Sequence, residues 1–211
     1  MPTKDRLARE AIYIEQEKCK DNVGCQDQTL AAHGGFSYIE FGGNKHLQVR
    51  KITIPGERLN SLQNHLMMFF TGFARTASEI AAHQIKNIPK KQKELKIMYK
   101  LAQEAFNVLG RDTGVEQLGK LMHESWQLKR SLSDKVSTPY IDEIYKTARK
   151  AGATGGKLLG AGGGGFVLIF AKPERQKAIR QKLKRLLEIP FKFETMGSQI
   201  IFYQPNSGLV A

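Results

Sequence analysis

Lys157-Leu-Leu-Gly-Ala-Gly-Gly-Gly-Gly-Phe-Val-Leu-Ile-Phe170 sets a cluster of glycines between two short apolar runs. Glycine loses more backbone freedom on folding than any other residue, so such a cluster signals positive φ angles or close backbone approach. Bare N–H groups in a loop of this kind can face phosphate oxygens. Gly160, Gly162 and Gly165 satisfy G-x-G-x-x-G, but that fingerprint needs a helix directly after it. Here Phe166-Val-Leu-Ile-Phe-Ala171 follows, rich in strand formers, and Pro173 precedes the next helix. A Walker A loop is excluded too, because Gly156-Lys157 is followed by Leu158. The segment therefore reads strand–glycines–strand, either as a wall for a phosphate or as a plain glycine-rich hairpin.

Outward from this loop, composition narrows the function classes. The 211 residues are 41% hydrophobic, enough for a packed core in one large or two small units. No apolar run approaches membrane-spanning length; Leu66-Met-Met-Phe-Phe70 is a short buried segment. The first ten residues carry no signal-peptide pattern. Cys19 and Cys25 are too few for a disulfide framework, which points to a reducing cytoplasm. His33, His46, His65, His83 and His123 lack metal-ligand spacing, which argues against zinc. The net charge of +13 attracts anions of every kind. Much of it lies in the basic stretch Lys172–Lys192, where Ala178, Ile179, Leu183, Leu186 and Leu187 form the apolar side of a helix. A solvated face explains that helix better than nucleic acid, because no reader motif accompanies it.

The periodicities predict an amphipathic helix over 6–20 and a short helix over 26–32 closed by Gly34-Gly35. Strands follow at Phe36–Phe41 and Leu47–Ile54, around Gly42-Gly43-Asn44. Pro55-Gly56 marks a boundary. Beyond it come a strand at 64–71, helices over 74–86, 89–109, 115–132 and 139–152, and the glycine hairpin. The basic helix and strands near 191–194 and 199–203 close the chain. The hairpin begun at Phe36 has few partners before it, which suggests an uncovered sheet face and association or poor solubility.

Two segments together resemble the GHMP kinase superfamily of small-molecule kinases. They are Asn22-Val-Gly-Cys-Gln-Asp-Gln28 with Ala31-Ala-His-Gly-Gly35, and the Lys157–Phe170 loop. Within that superfamily, Phe36-Ser-Tyr-Ile-Glu-Phe41, Phe70-Thr-Gly-Phe-Ala-Arg75 and His123-Glu-Ser-Trp-Gln-Leu-Lys129 look like the sugar kinases acting on the anomeric hydroxyl of D-glycero-D-manno-heptose 7-phosphate. The resemblance implies an α+β fold: a partial N-terminal kinase domain over 1–55, then a ferredoxin-like C-terminal domain over 56–211 with inserted helices. The superfamily's Gly-Leu-Gly-Ser-Ser-Ser phosphate loop has no counterpart here. The chain is thus expected to correspond to a C-terminal portion, either of an active kinase or of a non-catalytic sugar-phosphate-binding or interaction protein.

The resemblance also implies roles. Asp27 matches the catalytic aspartate, although as a residue alone it could simply cap its helix. Glu15 matches a Mg²⁺ ligand, or else is a surface carboxylate. Gly160, Gly162, Gly163 and Gly164 would form the wall approaching ATP or substrate phosphate. Arg75, Lys129 and Arg130 are candidates to hold a sugar phosphate, or are ordinary surface charges. ATP and Mg²⁺ are the implied cofactors and a sugar phosphate the implied partner, with no nucleic acid or membrane and with a homo-oligomer as one outcome of the open sheet.

Overall fold

The computed structural model describes residues 2–42, 46–72, 77–111 and 114–202. Its second half is organised by one antiparallel sheet. Strands β3 (Leu66–Phe70), β4 (Gly155–Leu158), β5 (Phe166–Phe170) and β6 (Leu187–Glu188) lie in the order β4-β5-β3-β6. In chain order that is second, third, first, fourth, the arrangement of a ferredoxin-like sheet. Side chains alternate across a strand. Met67 and Phe69 of β3, with Val167 and Ile169 of β5, therefore share one face. There they meet Trp126, Ile141, Ile144, Tyr145, Ala148, Ile179 and Leu183 in the larger core. A second cluster joins Phe170 to Leu62, Val108, Val115 and Leu118, with Phe36, Leu66 and Phe193 packed against it.

Helices α4 (Ala77–Asn87), α5 (Gln92–Gly110), α6 (Glu116–Ser131) and α7 (Pro139–Lys150) are all inserted between β3 and β4. Thr138 caps α7, accepting from the Ile141 N–H, and Pro139 occupies its first turn. Two glycines let α6 ride unusually close to the sheet. A Cβ at Gly155 would stand 1.7 Å from the Gly119 carbonyl oxygen, and one at Gly119 would stand 2.4 Å from Thr154 Oγ1. No larger residue fits either position.

The first part of the chain is thinner. Helix α1 (Lys4–Tyr13) continues into a π-helical turn, Ile14–Lys18, and α2 (Gln26–His33) follows. Strands β1 (Ser37–Gly42) and β2 (His46–Lys51) pair only with each other, Ser37 opposite Lys51. Tyr38 packs its ring on Phe106 of α5 at 4.8 Å between centroids, so one side of the hairpin is covered.

Several expected elements changed. Residues 56–64, left without structure beyond the Pro55-Gly56 boundary, form helix α3 (Gly56–Asn64), whose Leu62 enters the second core. The basic helix is shorter than the Lys172–Lys192 stretch: α8 spans Pro173–Lys182. It stops because β3 has an open edge that Leu187–Glu188 fills, Leu187 opposite Phe70. The strands expected near 191–194 and 199–203 do not form among the described residues. At Phe191 and Phe193 the Gln63 side chain replaces a neighbouring strand, donating to the Phe191 carbonyl at 3.2 Å and accepting from the Phe193 N–H at 3.2 Å. Tyr203 lies outside the described residues.

Candidate active site

The glycine hairpin is held from behind. Thr71, at the end of β3, donates its hydroxyl to the Gly165 carbonyl at 2.9 Å and accepts from the Gly165 N–H at 3.1 Å. The Gly163 N–H donates to the Val136 carbonyl at 3.0 Å. Gly162 sits at φ +131°, and a Cβ there would stand 2.7 Å from the same carbonyl oxygen. Gln84 of α4 donates to the Ala161 carbonyl at 2.9 Å from the front. These bonds fix the loop's path and spend the N–H groups of Gly163 and Gly165 inside the protein.

In front of the loop opens a cavity of about 1160 Å³. Leu7, Ala11, Ala81, Ile85, Leu95 and Leu132 make its apolar part, while Glu15, Asp27, Gln28, Lys129, Lys157 and Gly160 make its polar end. The carboxylates come from α2 and the π-helical turn; the lysines come from α6 and β4. Asp27 stands in the first turn of α2, where unpaired N–H groups favour negative charge. Its side chain is exposed to the cavity instead of capping the helix: Cys25 holds the cap position and makes no side-chain cap bond. Glu15 accepts from Gln28 Nε2 at 2.5 Å, and Gln28 Oε1 is buried without a partner among the described residues. π-helical turns are often found at functional sites, because the extra residue re-aims a side chain.

Lys129 donates to the Gly160 carbonyl at 2.5 Å, tying α6 to the loop. Burial pushes its amine down to about 8, helped by the charge of Lys157 and opposed by that of Asp27. Burial pushes Lys157 down as well.

Of the expected site residues, the structure therefore brings Asp27, Glu15, Lys129 and Gly160 together on one cavity. Gly162, Gly163 and Gly164 are buried behind the loop and do not line it. Arg130 points elsewhere: it pairs with Asp142 at 2.5 Å, and Asp142 in turn accepts from Ser137 at 2.6 Å, so this arginine staples α6 to α7. Its expected place on a sugar phosphate has no support in this position. Arg75 lies outside the described residues. Lys157, Gln28 and Gln84 were not expected. Lys157 had a signal, a charge inside an otherwise apolar strand; the two glutamines had none.

Among the described residues, no group of three or more His, Cys, Asp or Glu side chains could hold a metal by protein ligands alone. A carboxylate near lysines is a lining of the kind Mg²⁺ can share with phosphate, since this ion keeps waters and takes one or two protein carboxylates.

Comparison with known proteins agrees with this fold. Residues 102–189 match the family model described as GHMP kinases C terminal. The D-glycero-alpha-D-manno-heptose 7-phosphate kinase of Campylobacter jejuni is 32% identical over 200 residues, covering 91% of this chain and 58% of that protein. Among solved structures, the mevalonate kinase of Methanococcus jannaschii superposes with a TM-score of 0.65 at 25% identity, covering 93% of this chain and 57% of that one. A D-glycero-D-manno-heptose 1-phosphate kinase from Bacteroides thetaiotaomicron has the same fold, with a TM-score of 0.61 at 24% identity over 93% of this chain and 55% of its own. The chain thus spans less than two thirds of these relatives' lengths. With its glycine hairpin, ferredoxin-like sheet and matching 102–189 segment, the chain carries the C-terminal domain of the GHMP kinases.

Proposed function

We propose that this chain supplies the acceptor side of an ATP-dependent sugar kinase that phosphorylates the anomeric hydroxyl of a heptose 7-phosphate. The observation that carries the proposal is the single cavity uniting Asp27, Glu15, Lys129, Lys157 and Gly160. The 32% identity to the Campylobacter jejuni heptose 7-phosphate kinase supports the choice of acceptor.

Phosphoryl transfer asks mainly for positioning and charge neutralisation. Asp27, exposed to the cavity, accepts the proton of the sugar hydroxyl as its oxygen attacks phosphorus. That carboxylate stands in the first turn of α2, where the unpaired N–H groups of the helix lie. Glu15, steadied by Gln28, would hold Mg²⁺, which would supply the charge that neutralises donor phosphate oxygens. Gly160 closes the cavity at the loop, and its carbonyl positions Lys129. The apolar wall excludes water that would compete with the sugar hydroxyl.

The test is a coupled assay of the chain with ATP, Mg²⁺ and heptose 7-phosphate beside galactose, fucose and mevalonate. Turnover of the heptose phosphate that falls about 10²–10⁴-fold in Asp27→Asn, with an unchanged melt, is the expected result. Turnover unaffected by Asp27→Asn refutes the assignment of the base. A folded chain that binds sugar phosphate without turnover makes it a binding subunit instead.

A further inference from the structure

Three lysines line the cavity, and they are not equivalent. Lys91 is paired with Glu94 at 3.0 Å and so is already neutralised. Lys129 has the Gly160 carbonyl as its polar partner. Lys157 makes no side-chain hydrogen bond and no ion pair among the described residues. Neither Lys129 nor Lys157 has a carboxylate within ion-pairing distance there, although Asp27 and Glu15 share the cavity wall.

The fold brings the elements that carry the two lysines together, and both residues line the same cavity. Gly119 and Gly155 bring α6 onto β4 at backbone contact, Lys129 lies on that helix, and Lys157 is two residues beyond Gly155 on that strand. Lys129 feels the charge of Lys157. Placing two like charges in a partly desolvated wall without counter-ions is unfavourable, and buried charges are normally paired. A neutral sugar would leave that cost in place. A dianion would remove it, because two ammonium groups can each donate a charge-assisted hydrogen bond to phosphate oxygens.

Resting on the assignment of this cavity as the active site, we infer that Lys129 and Lys157 form one seat for a phosphate-monoester dianion. Both residues position the anion; neither takes part in bond making. The seat replaces Arg130, which is committed to Asp142. It gives the site a reason to prefer a phosphorylated acceptor over a neutral sugar.

The seat can be tested without turnover, so its failure is distinguishable from failure of the kinase assignment. Amine acylation of the intact chain at pH 7.5, read residue by residue by mass spectrometry, reports Lys129 against the exposed helix residues Lys177 and Lys182 as internal controls. Inorganic phosphate is expected to slow labelling of Lys129 at least about tenfold, as charge-assisted hydrogen bonds to an ammonium require. Chloride at equal ionic strength leaves it unchanged. In Lys157→Gln the midpoint for protection of Lys129 shifts to about tenfold higher phosphate, the loss of one such bond. Protection by mannose 6-phosphate at lower concentration than by a non-hydrolysable ATP analogue assigns the seat to the acceptor; the reverse assigns it to the donor. No protection by phosphate, sugar phosphate or nucleotide overturns the proposal, as does an unchanged midpoint in Lys157→Gln.

Discussion

The region before Pro55 and the region after it contribute opposite charges to one cavity. The first supplies the carboxylates of Glu15 and Asp27 from a π-helical turn and a short helix. The second supplies Lys129, Lys157 and Gly160 from a helix, a strand and a loop packed around a buried sheet. They also differ in how they are held. Tyr13, Ile14 and Phe41 of the first region are each about half exposed, whereas Met67, Phe69 and Ile169 of the second are sealed in the core. The first region is latched to the second by a tail: the Gly35 N–H donates to Glu194, and the Ser198 N–H to Ala31. Under the proposed function, the cationic wall would bind and the more lightly held acidic arm would take the proton.

The largest effect should separate those duties. Asp27→Asn is expected to act on kcat by about 10²–10⁴-fold, whereas Lys129→Gln is expected to act mainly on KM for the phosphorylated sugar. Steady-state kinetics on both variants decides this; a KM effect from Asp27→Asn with kcat intact would erase the division of labour. Next comes stability. Phe69→Ala should cost about 3–5 kcal/mol in urea unfolding, as a large buried ring replaced by a void does. Phe41→Ala, at 52% exposure, should stay within about 0.5 kcal/mol. Equal costs would mean that the arm has a core of its own.

The latch offers a subtler test. Gly197 has φ +64°, and a Cβ there would stand 2.5 Å from the Gly34 nitrogen. Gly197→Ala should therefore cost about 1 kcal/mol or more and speed limited proteolysis between α1 and α2. Hydrogen exchange in β3 and β5 should be unaltered. The smallest effect concerns pH. Lys129 is lowered from 10.5 to about 8 in the folded chain. Between those values the unfolded state holds the extra proton, so this group's contribution to stability rises with pH across that window. Lys129→Gln should accordingly exceed wild type in stability most clearly below pH 8, with the difference shrinking towards pH 10.5. Melts across that range check it, and a difference that grows with pH would contradict the burial of this amine.

The glycine hairpin was legible because its chemistry is local: β-formers on both sides of a glycine cluster leave few alternatives to strand–loop–strand. The same holds for α7, whose Thr138 cap and Pro139 start are written in consecutive residues. Asp27 and Glu15 were nameable as candidates through motif resemblance, though their meeting on one cavity was not. What escaped the sequence depended on partners far along the chain. The early end of α8 follows from an open edge on β3, and the missing strand at 191–194 from the Gln63 amide, over a hundred residues away.

By itself, then, the sequence determined the hairpin and most helices, since each rests on spacing between near neighbours, while the α+β class entered through the family resemblance. Only the tertiary structure decided which charges face the cavity. Arg130 and Lys129 are adjacent in the chain, yet one staples two helices through Asp142 and the other reaches the glycine loop. Neighbouring residues on a helix point about 100° apart. Which direction holds the site depends on what the helix packs against, and here Gly119 and Gly155 set that contact.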